Sequence, residues 1–419
     1  MLQKASPTHE DVKYSMYGQG ISCTAASRSS APTLVRECSR LREHARVETI
    51  FSHLPVELVR IVFLFCIPDA PFVTYHRREA PLNISGVCRF WRAVALATPE
   101  LWSSLRPCMT FRESTRTAAD TIGSWLLRSA PHPFRLALAF DKVDLPSECG
   151  LEIIAPTYSL GHVEGLSARL SSFSLSLRAE DLEGAHEQLR FLDGDAERLE
   201  HLCITACSSP ASSFTSPPLS KLQTFRSMPR LRSFTLRTDV AFRASSFDVP
   251  WAQLTELTLC RHAPAVPLYS RWTKTHNADV LAVLRSCPLL ISCTVYLRAD
   301  SDALRTPAPT VHLPHLRTLR LDVDAVLGAS SAATVDGAVF DALRAPALEA
   351  LRVCGPVSGA RGVVWPTAEF AALLARCAGS LRGVALERVP LGERELRGIR
   401  ESVRVVVELC GRSDWVVRV

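Results

Sequence analysis

The sequence predicts an α+β protein. A small helical module at the N-terminal end leads into an irregular α/β solenoid built on a parallel sheet. Three observations carry that prediction. Apolar residues between Leu54 and Trp102 recur at helical spacing. Further on, the pattern Leu-x-x-Leu-x-Leu, with conservative replacements, recurs eight times. Several copies are separated by stretches of helical periodicity, and strand followed by helix, repeated, gives a parallel sheet backed by helices.

In chain order, residues 1–33 are polar, rich in Ser and Thr and without periodicity, so disorder is expected there. Residues 34–50 form a short charged lead-in with helical character. The first helix of the module places Leu54, Leu58, Ile61, Val62 and Phe65 on one face. Pro55 suits its first turn, where a missing N–H costs nothing. Val59, Phe63 and Cys66 make a second apolar strip on the same helix. A helix apolar on two sides needs two partners: its own domain and another element or chain. Ile84, Val87, Cys88, Trp91, Val94 and Ala95 predict a second helix, and Thr98-Pro99 opens a third with a threonine N-cap and an N1 proline. Leu101 and Trp102 belong on its buried face. A three-helix piece packed inside a larger domain would read the same way.

Three short motifs go further: Leu54-Pro55-Val56-Glu57, Val87-Cys88-Arg89-Phe90-Trp91, and Glu100-Leu101-Trp102. Together and in this order they resemble the F-box, the helical module that joins a protein to a Skp-type adaptor of a cullin–RING ubiquitin ligase. The resemblance is closest to F-box proteins of the basidiomycete-fungal type, an F-box-like domain followed by irregular leucine-rich repeats. It implies adaptor binding through Leu54, Pro55, Glu57, Leu58, Ile61, Val62, Val87, Cys88 and Trp91. Trp91 and part of the first helix are expected to be internal. The segment with Pro68, Pro71 and Pro81 is longer than in most F-boxes. The module is assigned to residues 51–106, a junction to 107–165 and the repeats to 166–419.

In the junction, Thr121 to Leu127 reads as helix and Phe134, Leu136, Leu138 and Phe140 as a strand. The repeats follow at Leu170/Phe173/Leu175, Leu199/Leu202/Ile204, Leu231/Phe234/Leu236, Leu254/Leu257/Leu259, Leu290/Cys293/Val295, Leu316/Leu319/Leu321, Leu348/Leu351/Val353 and Leu381/Val384/Leu386. This is the strand core of a leucine-rich repeat. The first leucines lie 29, 32, 23, 36, 26, 32 and 33 residues apart, which predicts uneven turns and long loops. Pro229, Pro314 and Pro346 precede three of the copies. Helices are expected around Val280–Leu284, after the potential caps Asn277 and Asp279, around Val339–Leu343, after Asp336, and around Phe370–Cys377, after Thr367. Gly379 can end the last in a left-handed turn. Trp415, Val416 and Val417 suit a final strand or cap.

The chain has 419 residues and 47% hydrophobic content, enough for a sizeable core. A net charge of +6, mostly arginine interspersed with acids, does not argue for nucleic acid. The 14 cysteines form no Cys-x-x-Cys pair, and Cys66, Cys88 and Cys377 look buried, which fits reduced thiols in the cytoplasm or nucleus. The N-terminal residues lack the apolar core of a signal peptide, and no run suits a membrane span. There is no phosphate loop, dinucleotide fingerprint or nucleophile elbow. His186-Glu187 lacks the second histidine of a zinc-protease helix, and Asp193-Gly194-Asp195 reads as a turn. His201, Cys203 and Cys207 fall short of four zinc ligands. No enzymatic activity, metal or cofactor is expected.

The expected activity is binding. The resemblance implies a substrate receptor that holds a protein in reach of a ubiquitin-charged enzyme; the alternative is a repeat scaffold whose helical module merely caps the solenoid. Strand alternation sends the third, fifth and seventh positions of each repeat to the open face of the sheet. That face then carries His201, Thr205, Thr235, Arg237, Glu256, Thr258, Tyr296, Arg320, Asp322, Arg352 and Glu387. A surface so mixed in sign suits a polar protein partner, with Tyr296 and Arg320 as anchors.

Overall fold

Ten parallel strands, paired in the order in which the chain makes them, form the spine of the described structure. They are β1 (Ser104–Leu105), β2 (Phe134–Ala139), β3 (Leu170–Arg178), β4 (His201–Cys207), β5 (Ser233–Thr238), β6 (Glu256–Arg261), β7 (Ser292–Asp300), β9 (Thr318–Ala325), β12 (Ala350–Cys354) and β14 (Gly383–Glu387). Four short strands lie off this path. β8 (Val311–His312) pairs with β11 (Leu343–Arg344), while β10 (Ala333–Val335) pairs with β7 and with β13 (Val363–Val364). At the far end β15 (Val406–Cys410) and β16 (Asp414–Arg418) turn antiparallel, β16 lying against β14. The expected final strand around Trp415 is therefore present, and it covers the hydrogen-bonding edge of the last parallel strand.

This is a computed structural model. It describes residues 54–107, 115–139, 160, 163–178, 189–192, 196–207, 225, 228–238, 242, 247–261, 277–300, 309–325, 333–355, 363–389, 391–403, 406–410 and 414–418. The segment 1–33, the lead-in 34–50, Phe140, His186-Glu187 and Asp193–Asp195 lie outside the described residues. The chain divides into two units, Met1–Pro55 and Val56–Val419.

The register of the ladder follows the repeat read from the sequence. Phe173, Leu202, Phe234, Leu257, Cys293, Leu319, Leu351 and Val384 are cross-strand neighbours in succession. All are buried, as are the leucines three residues before each and the apolar residues two positions after. A tight turn precedes most strands. The N–H of Leu199, Leu231, Leu254, Leu290, Leu316 and Leu348 each donates to the carbonyl three residues back. Pro229, Pro288, Pro314 and Pro346 occupy the second position of four of these turns, where a fixed φ near −65° is already correct. One residue on, a single carbonyl accepts two successive N–H groups of the next repeat: Glu200 from Arg232 and Ser233, Arg232 from Thr255 and Glu256, and so on to Glu349 from Arg382 and Gly383. This ladder fixes the register, while the loops between rungs vary in length.

The helices are α1 (Val56–Phe65), α2 (Leu82–Ser85), α3 (Arg89–Leu96), α4 (Thr115–Arg128), α5 (Leu166–Arg169), α6 (Asn277–Arg285), α7 (Ala338–Ala342), α8 (Thr367–Cys377) and α9 (Glu393–Val403). Val280, Leu281, Val283 and Leu284 of α6 are buried, as are Phe340 of α7 and Phe370, Leu373 and Leu374 of α8. Phe340, Trp365 and Phe370 form a mutual aromatic contact with centroids 5.3–5.5 Å apart. Asp336 accepts from the Ala338 N–H at the start of α7. Asn277 does something other than cap its helix: its amide donates to the Arg298 carbonyl and accepts from the Arg298 N–H, fastening α6 to β7. Gly379 is not left-handed; α8 ends at Ala378 in ordinary right-handed geometry, and Ser380 then donates to the Leu348 and Cys377 carbonyls.

In the helical module the predicted second helix is two. Gly86 ends α2, and Cys88 restarts the chain in extended backbone, its Sγ accepting from the Trp91 N–H. The predicted third helix is a single 3-10 turn, Pro99–Trp102. Thr98 does not cap it; its hydroxyl donates to the Val94 carbonyl at 2.7 Å. Leu101 and Trp102 are buried as expected, and Trp102 Nε1 donates to Ala95. The long insertion has a structural role. The Val73 carbonyl accepts from Arg106 N–H, and Thr74 bridges to Arg106, so the insertion continues the sheet beside the end of β1. Tyr75 meets Trp125 of α4 edge-on, and Trp125 meets Trp102 at 4.8 Å. From Val56 onward, module and sheet share one apolar core.

Candidate functional site

Two surfaces among the described residues carry features that a folded core does not account for. The first is on α1. Of its apolar residues only Val59 and Phe63 are buried, and Phe63 meets Trp91 of α3 at 5.0 Å. Leu58, Ile61, Val62 and Phe65 stand at i, i+3, i+4 and i+7, one helical face. Their exposures are 48%, 48%, 39% and 85%. Val56 and Leu64 are also exposed. Within the helix, Val59 and Phe63 of the one strip face inward, and Leu58, Ile61, Val62 and Phe65 of the other face solvent. Cys66, expected to be buried, is exposed just beyond the helix. The Arg60 guanidinium reaches Glu100 at 3.4 Å, and His132 reaches the same carboxylate at 3.6 Å, bracing the inner side of α1 on the 3-10 turn.

The other motif positions fall in several environments. Leu54 is half-buried, and Pro55 and Glu57 are exposed. Val87, in the turn between α2 and α3, is 45% exposed, because the break at Cys88 leaves it outside either helix. Cys88 is half-buried as the cap of α3. Trp91 is half-buried against Phe63.

The second surface is the open face of the sheet. It changes character along the sheet. On β3 to β6 one rung carries the small side chains of Ser174, Cys203, Thr235 and Thr258 in succession, with His201, Arg237 and Glu256 on the rungs to either side. That rung continues through Thr294 on β7 to Arg320, Arg352 and Ala385 on β9, β12 and β14. The next rung holds Tyr296, Asp322, Cys354 and Glu387. Arg320 Nε donates to Asp322 Oδ1 at 2.8 Å, and Arg352 pairs with Glu387. Hydrogen bonding to Asp322 holds the Arg320 guanidinium more firmly in its charged form. The Cys354 thiol donates to Glu387 at 3.4 Å; burial, reinforced by the Asp322 charge, pushes it up to about 11.

The structure thus unites four of the predicted substrate-side residues, Tyr296, Arg320, Asp322 and Arg352, on adjacent strands. Arg237 and Glu256 stand farther back along the sheet, Arg237 reaching the group only through Cys260, which also feels the Asp322 charge. Arg237 lies on β5 beside Cys260, and Glu256 lies on β6 at the foot of the ladder, beside Ser292. Sequence reasoning passed over the floor beside the arginines. Ala350, Gly383 and Ala385 have almost no side chain, and with Thr294, Thr318, Arg320 and Arg352 they line a depression of about 330 Å³. His201 and Cys203 do point to one side of β4, with Cys207 at the end of the strand.

No known family model matches this chain, and no curated protein does either. Among the described residues no helix is long and apolar enough to cross a membrane.

Proposed function

We propose that the protein is the substrate-receptor subunit of a Skp–cullin–F-box type ubiquitin ligase, whose leucine-rich-repeat sheet offers the substrate surface. The observation that carries this reading is the divided apolar character of α1. Val59 and Phe63 fill the core, while Leu58, Ile61, Val62 and Phe65 expose a matching strip to water. Large apolar side chains grouped on one exposed helical face mark a docking surface. Leu54, Pro55 and Glu57 precede and begin the helix, and Val87, Cys88 and Trp91 follow in the order of the F-box motif. The protein's contribution to ubiquitin transfer would be proximity, a gain in effective concentration of substrate at a charged enzyme.

A second reading, a repeat scaffold without ligase assembly, is favoured by one observation. The module shares its core with the start of the sheet through Trp102 and Trp125, as a solenoid cap would. The two readings part on the outer face of α1, which a cap has no reason to keep apolar. Co-expression with a Skp-type adaptor tests them. The ligase reading expects a stable complex that Leu54→Asp with Pro55→Ala abolishes while the sheet stays folded. Unchanged binding by that double variant would remove the adaptor assignment.

A further inference from the structure

The geometry points to a carboxylate clamp on the open face of the sheet: Arg320 and Arg352 grip one carboxylate of an extended peptide lying over Ala350, Gly383 and Ala385. The inference rests on the reading of this face as the substrate surface, and it names the chemistry that the surface selects.

Arg320 and Arg352 are direct cross-strand neighbours, so their side chains leave the sheet about 4.8 Å apart. Two like charges at that spacing repel each other unless anions lie between or beside them. The protein supplies two, and it places them low. The Asp322 and Glu387 side chains are 29% and 15% exposed, against 44% and 50% for the Arg320 and Arg352 side chains. The acids therefore act as braces beneath the arginines, and the guanidinium ends form the rim that a ligand meets first. A guanidinium has five N–H donors. Among the described residues, Arg320 uses Nε on Asp322 and Arg352 uses one Nη on Glu387. Donors remain on both for a shared acceptor.

The floor decides what can reach them. A side chain of ordinary size at position 350, 383 or 385 would fill the depression that these three residues leave open. The opening lies at the small end of ligand-sized clefts, which suits one or two residues of a peptide rather than a folded domain. Thr294 and Thr318 add hydroxyls to the lining. Charge selects the group. With Asp322 and Glu387 beside them, the two arginines favour a singly charged anion over a phosphate dianion, whose second charge adds to the repulsion from those acids. A carboxylate carries half that charge and matches the planar fork of a guanidinium.

The test uses the purified full chain and four synthetic heptapeptides with a neutral fluorophore at the amino end, read by anisotropy. One carries a single internal glutamate and an amidated end. One carries glutamine there and a free terminal carboxylate. One has neither carboxylate, and one has phosphoserine in place of the glutamate. At least one carboxylate peptide is expected to bind about tenfold more tightly than the neutral one, in line with charge-assisted hydrogen bonds. Whichever does so identifies a side-chain or a terminal source. Arg320→Gln with Arg352→Gln should erase the difference. Ala385→Glu, which keeps both arginines and supplies a carboxylate from the floor, should erase it too and guards against misfolding of the first variant. Equal affinity of all four peptides, tightest binding of the phosphopeptide, or a preference that survives Ala385→Glu would overturn the clamp. Adaptor binding is measured on the same samples. Its loss would count against the ligase reading and leave the peptide result to stand by itself.

Discussion

Phe63 and Phe65 sit two residues apart on α1, and their truncation to alanine separates the two faces of that helix. Phe63 is fully buried and packs on Trp91, so Phe63→Ala removes a core ring and leaves a cavity, at a cost of about 3–5 kcal/mol. The better helix propensity of alanine returns a few tenths of a kcal/mol. The net expectation is roughly 3–4 kcal/mol of lost stability in the module, read as a lower urea midpoint in tryptophan fluorescence. Phe65 is 85% exposed, so Phe65→Ala should leave that midpoint within about 0.5 kcal/mol. In a complex its ring changes role. Covering about 170 Å² of phenylalanine surface is worth up to about 4 kcal/mol, of which interface ordering consumes a part. A loss of about 2 kcal/mol, or roughly thirtyfold in Kd, is expected for binding to a Skp-type adaptor. Equal destabilisation by both substitutions would refute the two-faced helix. Undiminished adaptor affinity of Phe65→Ala would refute its outward role.

Other expectations follow from packing and protonation. Gly355 lies against the Arg388 carbonyl with no room for a Cβ, so Gly355→Ala should cost about 1–3 kcal/mol in chemical denaturation. Arg388 itself has φ of 52°, in the left-handed region, and Arg388→Val should destabilise by about 1–2 kcal/mol while Arg388→Gly does not. Leu351→Ala, in the middle of the buried ladder, should cost about 2–5 kcal/mol and raise hydrogen exchange most in β9, β12 and β14. Burial raises the thiols of Cys287, to about 12, and of Cys293. Folded pKa values above the unfolded value of 9.0 mean that stability is complete below about pH 9 and falls as pH rises beyond it. Between pH 9 and 11 the wild type should lose stability faster than Cys287→Ala with Cys293→Ala. Parallel pH profiles would contradict the assignment of that slope to these thiols.

The parallel sheet was legible because its signal is periodic and redundant. Each Leu-x-x-Leu-x-Leu places two side chains on one face of a strand, and eight copies in order leave a parallel ladder as the consistent solution. The same alternation put Arg320, Asp322 and Arg352 on the open face. The two apolar strips of α1 were visible too, but not which faced inward; that depends on Trp91, which reaches Phe63 from another helix. What escaped was local or non-local chemistry without a pattern. Cys88 caps α3 with a sulfur, a weak acceptor seldom used at that position, so an apparently continuous helix is broken. Gly379 looked like a left-handed stop, but Ser380 satisfies the carbonyls instead. The insertion pairs with Arg106, about thirty residues away, and no local rule reports such pairing. The floor of the arginine cleft is defined by side chains that are missing, and a search for functional groups passes over Ala350, Gly383 and Ala385.

The outer face of α1 is the centre of the account. Titrating the full chain with a purified Skp-type adaptor, with hydrogen exchange followed across Val56–Phe65 and the strands of the sheet, tests it most directly. The account predicts a one-to-one complex with new protection concentrated in α1 and the turn at Val87, and none on the open face of β9 and β12. Absence of a complex at about 100 µM, or protection falling on the sheet while α1 stays unchanged, would contradict it.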